Sequence, residues 1–252
     1  MSYSARNSFA IRGPTKIHRA CAPQKLQCAN VVASSQSAPF VDELQGEPAV
    51  RGFLHQAEAP NADGLVLTHG AGSNCNSPLL IGLAEAFCDA GVAVLRCDLP
   101  FRQQRPHGPP LGSAENDQAG LRRAMQVLRN QIGGRVFLGG HSYGGRMATM
   151  LAAKDPSIAD GLLLLSYPLH PPRKPEQLRT AHFPSLRTRA LFVHGARDPF
   201  GSTEEMESAL RLIAAETKLV TIDGSGHELL SARNREAVLK IVTKEFKAFF
   251  SQ

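Results

Sequence analysis

Three residues of this chain, Ser142, Asp198 and His227, have the types and the chain order for nucleophilic catalysis. Ser142 sits in Gly140-His141-Ser142-Tyr143-Gly144, a G-x-S-x-G run entered from the apolar Val136-Phe137-Leu138. A segment of helical period, residues 146–154, follows. Strand, sharp turn and helix form the setting in which such a serine becomes a nucleophile, because the turn lifts the hydroxyl clear of the sheet. The motif alone is weak and needs partners elsewhere. A serine hydroxyl attacks only when a base takes its proton and a third group orients that base. His227, in Gly224-Ser225-Gly226-His227, has the mobility to reach across and shuttle the proton. Asp198, in Gly195-Ala196-Arg197-Asp198-Pro199, would hold the imidazole and stabilise its cation. Asp223 is a rival acid four residues before His227, although its place at a strand end also suits a turn. His69, His141, His170 and His194 read as structural or loop residues.

The same chemistry needs donors for a developing oxyanion. The Gly-rich turn His69-Gly70-Ala71-Gly72-Ser73-Asn74 can aim a backbone N–H at a bound carbonyl oxygen. Ala71 is the first choice, with Gly72 next. The N–H of Tyr143, directly after the nucleophile, is the second donor. The turn has no lysine of a nucleotide P-loop, and the chain has no G-x-G-x-x-G.

Every candidate falls just after a strand-like run. From residue 39 the chain alternates strands (39–41, 49–55, 65–68, 92–95, 136–138, 162–165, 191–193, 219–222) with helical periods. Leu79, Leu80, Leu83 and Phe87 mark one helix face; Leu121, Met125, Leu128 and Ile132 mark another. Ser202 and Glu205 have capping-box spacing ahead of Met206, Ala209, Leu210 and Ile213. The final helix carries Val238, Ile241, Val242, Phe246 and Phe249 on one side. Such alternation predicts an α/β fold with a mostly parallel central sheet and helices on both faces. Sites in such sheets lie beyond the carboxyl ends of the strands.

The formal charge of +6 is concentrated at the start. Residues 1–41 hold Arg6, Arg12, Lys16, Arg19 and Lys25 and no acid, leaving 23 basic against 22 acidic residues. A nearly neutral body argues against nucleic acid as a partner. Residues 1–38 read as a basic, disordered extension, with a transit peptide or a misplaced start as alternatives. Residues 39–252 read as one domain. No apolar run reaches transmembrane length, so no membrane is expected. Five cysteines with no C-x-x-C predict neither zinc nor a redox centre, and a reduced, cytoplasmic setting is the default.

On these residues the chain resembles the α/β-hydrolase superfamily over 39–252. Within it the likeness is to dienelactone-hydrolase-like hydrolases, in a branch with the testis-expressed hydrolase-like proteins and the subunit-three protein of the NSL histone-acetyltransferase complex. Four stretches carry it: residues 67–72, 140–146, Leu165-Ser166-Tyr167-Pro168-Leu169-His170, and 191–198. Some members of the branch look like scaffold subunits without the serine. This chain keeps Ser142, Asp198 and His227.

The resemblance implies a serine hydrolase acting on a small-molecule ester-type substrate through an acyl-enzyme, with no metal and no organic cofactor. Alternatives are a non-catalytic interaction module on the same fold, or a serine peptidase of prolyl-oligopeptidase type. No protein partner is indicated. Residues 167–188, where caps are usually inserted, are too few for a helical cap domain, so the site should be open. Their prolines predict a stiff loop with at most one short helix. A second loop, residues 98–113, carries Arg102, Arg105 and His107. Arg102 or Arg105 is expected to attract an anionic substrate group, against the plainer reading of a solvated basic loop.

Overall fold

The computed structural model describes residues 37–58 and 62–251. Most of the basic leading segment, through residue 36, lies outside the described residues, as do Cys21 and Cys28. Eight strands form one sheet: β1 (Ser37–Asp42), β2 (Val50–His55), β3 (Gly64–Thr68), β4 (Ala93–Cys97), β5 (Val136–His141), β6 (Leu162–Leu165), β7 (Ala190–Gly195) and β8 (Thr217–Ile222). Their order is β1-β2-β4-β3-β5-β6-β7-β8. β1 and β2 form an antiparallel hairpin, and β2 runs antiparallel to β4. Every later pairing is parallel.

The apolar strand runs are buried on both faces, which explains their lack of polar alternation. Val66, Leu95, Leu138, Leu164 and Phe192 face one cluster. There they meet α3 (Ala114–Arg129), α4 (Tyr143–Lys154) and α5 (Thr203–Leu210) through Leu121, Met125, Met147, Leu151 and Met206. Leu65, Leu67, Val94, Phe137, Leu163, Leu165, Leu191 and Val193 face the other cluster. That side is closed by α1 (Pro78–Asp89) and α6 (Arg235–Phe250) through Leu80, Leu83, Phe87, Val242 and Phe246. The capping box forms at α5: Ser202 Oγ accepts from the Glu205 N–H, and Glu205 accepts from the Ser202 N–H.

The chain leaves β3 for β4 on one side and returns to β5 on the other. That reversal opens a crevice beyond the carboxyl ends of β3 and β5, where ligands bind in sheets of this kind. Thr68 pairs with Gly140, so the turn after β3 and the turn after β5 leave the sheet side by side. No cap covers them. Residues 167–188 carry only a 3-10 turn, Phe183–Ser185, and their course is fixed by hydrogen bonds from Tyr167 Oη to Arg179 O and from Arg179 N to Leu169 O.

One element differs from the sequence reading. Residues 98–113 contain a short helix, α2 (Pro100–Gln104), where an irregular basic loop was expected. Proline at its first position sets φ for a helical turn, and Phe101 buries against the core. Five residues are too few for periodicity to reveal.

Candidate active site

Ser142 is the residue between β5 and α4, and its backbone has φ 50° and ψ −115°. A non-glycine residue there stores about 1–3 kcal/mol, held by its surroundings. The Ser142 N–H donates to Leu165 O at 2.8 Å, and Ser142 O accepts from the Arg146 N–H at 3.0 Å. The glycines on either side are required by contact. A Cβ on Gly140 would lie 2.5 Å from the Gly144 carbonyl carbon. One on Gly144 would lie 2.6 Å from Thr68 Cγ2 and 2.7 Å from His69 O.

The structure brings Ser142, His227 and Asp198 together. His227 Nε2 lies 2.8 Å from Ser142 Oγ. His227 Nδ1 lies 2.8 Å and 3.0 Å from the two Asp198 carboxylate oxygens. The Asp198 side chain is fully buried and also accepts from the Phe200 N–H at 2.9 Å. Asp223 is exposed. The Phe200 ring lies over the His227 imidazole, with centroids 4.2 Å apart and planes 32° apart.

Two histidines read as structural serve the site from behind. His141 Nε2–H donates to the His227 carbonyl at 2.9 Å, tying the residue before Ser142 to His227. Burial holds the His141 pKa below the usual imidazole range, so the ring is neutral. His69 is buried, and its Nε2 accepts from the Leu99 N–H at 3.1 Å. Its Nδ1–H therefore donates to Gly70 O at 2.8 Å and sets the turn after β3. Burial also lowers the His69 pKa. A sequence signal existed for both: each stands at a strand end next to a candidate site residue.

That turn runs along Ser142. A Cβ on Gly70 would sit 3.4 Å from Ser142 Cβ and 3.2 Å from His141 Nδ1. Among the described residues, neither the Ala71 N–H nor the Tyr143 N–H has an internal acceptor. Tyr143 is the first residue of α4, where backbone N–H groups carry the positive end of the helix dipole. Its phenol donates to the buried Asp117 at 2.7 Å, while Asp117 also accepts from the Phe101 N–H. Burial raises the Asp117 pKa.

Arg102 and Arg105 part company. Arg102 is buried, and its guanidinium donates to four carbonyls: Ala71 at 2.6 Å, Ser73 at 2.7 Å, Gly108 at 3.0 Å and Arg105 at 3.2 Å. Its donors are spent on fastening the turn after β3 to the loop after α2. Arg105 is exposed.

With this geometry in view, comparison with known proteins is decisive for the fold. Residues 61–251 match the family model described as alpha/beta hydrolase domain. The chain belongs to the α/β-hydrolase family. Among solved structures it is similar to a dienelactone hydrolase from Anabaena variabilis (TM-score 0.69, 21% identity, 86% of this chain and 99% of that one). It is similar to Est1E from Butyrivibrio proteoclasticus (TM-score 0.68, 16% identity, 85% and 99%). It is also similar to XC6422 from Xanthomonas campestris, described as a serine hydrolase without lid (TM-score 0.62, 16% identity, 85% and 95%). At these identities the likeness is one of fold. No helix among the described residues is long and apolar enough to cross a membrane.

Proposed function

We propose that this chain is a serine hydrolase that cleaves ester-type bonds through Ser142, His227 and Asp198. The observation that carries the proposal is the hydrogen-bonded line from Ser142 Oγ through His227 to buried Asp198, with the serine held at positive φ. His227 Nε2 takes the Ser142 proton as Oγ attacks the substrate carbonyl carbon. His227 Nδ1–H faces Asp198, which fixes the tautomer and stabilises the imidazolium that forms. The Tyr143 and Ala71 N–H groups, without internal acceptors, are the oxyanion donors. The imidazolium gives its proton to the departing alkoxide or thiolate, leaving an acyl-Ser142. Water, deprotonated by His227, attacks the acyl carbon, and the acid leaves as Oγ recovers its proton. An uncapped crevice supports a small-molecule substrate entering from solvent.

A fluorophosphonate probe and a panel of 4-nitrophenyl esters and thioesters test the reading. We expect labelling and turnover that Ser142→Ala abolishes in protein of unchanged circular dichroism. Folded wild type that neither labels nor turns over any ester would refute it.

A further inference from the structure

With one exception, the buried and half-buried arginines among the described residues each donate to at least one acceptor. Arg96 donates to Asn76 and His55, Arg102 to four carbonyls, Arg122 to Asp155, and Arg123 to Asp42. Arg146 is the exception. Among the described residues it alone, of the buried and half-buried arginines, has a guanidinium with no acceptor. Its Nε is sealed from solvent and unbonded. Among the described residues, no carboxylate lies within ion-pair distance of it or of Arg179. With Nε withdrawn from water and the terminal nitrogens reaching the surface without a protein acceptor, the guanidinium leaves donors open to a ligand anion.

Its position gives the ligand meaning. Arg146 stands four residues after Ser142, with its backbone N–H on Ser142 O. That bond spans one helical turn, and helical side chains lean toward the N-terminal end. Here that end is the nucleophile. The Arg146 charge is felt at Tyr143, Tyr167, Arg179 and His182. These residues come from the elbow and from the 167–188 loop above the crevice. The loop is tied to this spot: Thr149 Oγ1 donates to Arg146 O and accepts from His182 Nε2–H at 2.8 Å. Half-buried Arg179 hangs from Pro168 O at 3.4 Å. Burial and the Arg146 charge depress His182 to about 4, so it is neutral at pH 7. Tyr167 is pushed upward by burial and is also neutral. Arg146 and Arg179 therefore bring two positive charges to this neighbourhood, and neither His182 nor Tyr167 supplies an anion to it.

The geometry points to an oxyanion subsite formed by Arg146 and Arg179, which recognises a carboxylate or phosphate group on the acyl side of the substrate. This rests on Ser142 being the nucleophile. It moves the anion contact from the loop after β4, where Arg102 is committed to carbonyls, to the first turn of α4 and the 167–188 loop. Guanidinium forks suit both anions, because each offers two oxygens to paired N–H donors.

The test compares kcat/KM for neutral 4-nitrophenyl butyrate with that for mono-4-nitrophenyl glutarate and 4-nitrophenyl phosphonoacetate. The last two read carboxylate and phosphonate separately. We expect Arg146→Gln and Arg179→Gln each to lower the anionic-to-neutral ratio at least tenfold for one of the two anions. Arg146→Glu should invert the preference. Ratios unchanged in both Gln variants and in their double variant would overturn the subsite. A second arm does not depend on turnover. Glutarate and inorganic phosphate are titrated by calorimetry into folded Ser142→Ala protein, with and without Arg146→Gln. Binding that the Arg146 change abolishes supports the subsite even if no ester is cleaved. No binding of either anion overturns it even if neutral esters are turned over.

Discussion

Replacing Asp198 by asparagine tests the proposed proton relay most directly, because it changes charge and donor pattern while nearly preserving shape. Asp198 Oδ1 accepts from the Phe200 N–H at 2.9 Å, and both carboxylate oxygens face His227 Nδ1. An asparagine that keeps its oxygen on Phe200 turns its NH2 toward Nδ1. The imidazole must then carry its proton on Nε2, facing Ser142, and cannot act as base. The variant also loses the carboxylate that stabilises the imidazolium. Two unit charges about 4 Å apart at an effective dielectric of about 20 interact by about 4 kcal/mol. At about 1.4 kcal/mol per tenfold, that is roughly a 10³-fold loss of kcat. The tautomer change carries the expectation toward roughly 10⁴, the loss seen for the equivalent substitution in a serine protease triad. The assay is kcat and kcat/KM on 4-nitrophenyl butyrate, with the fluorophosphonate labelling rate as a chemical readout independent of deacylation. Circular dichroism and a urea midpoint control for folding. A variant retaining more than a tenth of wild-type kcat would refute the assignment. So would an equal or larger loss in Asp223→Asn, since Asp223 is exposed and outside the relay.

Other consequences follow from the packing. Arg102→Ala should destabilise the fold by about 2–4 kcal/mol, because it strips a buried donor set from four carbonyls. Arg105→Ala should leave kcat/KM within twofold on neutral and anionic esters alike; urea titration and the ester pair check both. Gly140→Ala should cost about 3 kcal/mol or prevent folding, since its Cβ meets Gly144 backbone rather than a movable side chain. Acid should weaken the domain through its buried histidines. His182 titrates at about 4 when folded against about 6.5 unfolded, so the unfolded state binds the proton first. Its contribution is complete above pH 6.5 and is lost as pH falls toward 4, by about 2 kcal/mol after allowing for partial exposure. His182→Gln should flatten the change in stability between pH 7 and 4.5 by that amount, and an unchanged slope in urea titrations would contradict it.

The architecture was legible because burial on both sheet faces leaves long apolar runs, and such runs are hard to mistake. The β5–Ser142–α4 elbow was legible for another reason: close approach of Thr68, His69 and Gly144 tolerates only glycine, and glycine is visible in a sequence. Asp198 could be preferred to Asp223 from its place after β7, but only the distance from His227 decides between them. What sequence could not reveal was how each cation is spent. Arg102 and Arg146 look alike as letters near a site. Arg102 reaches Ala71 and Ser73, about thirty residues away in the chain, and its charge is absorbed by carbonyls. Arg146 is placed where its charge acts on Tyr143, Tyr167, Arg179 and His182, and among the described residues its guanidinium has no acceptor. The His69 and His141 rings show the same principle: each reads as a lone histidine, and each gains meaning from one hydrogen bond.

These supports also explain why the site can do without a cap. The strained Ser142 backbone is held by Leu165 O and the Arg146 N–H, and His227 is clamped by His141 and Phe200. The Ala71 turn is fixed by His69 from within the sheet and by Arg102 from the α2 side. Each residue of the proposed relay is thus positioned by the sheet and the helices packed on it. On the proposed reading, closure over the substrate is not needed to assemble the relay, which leaves the 167–188 loop for recognition through Arg179.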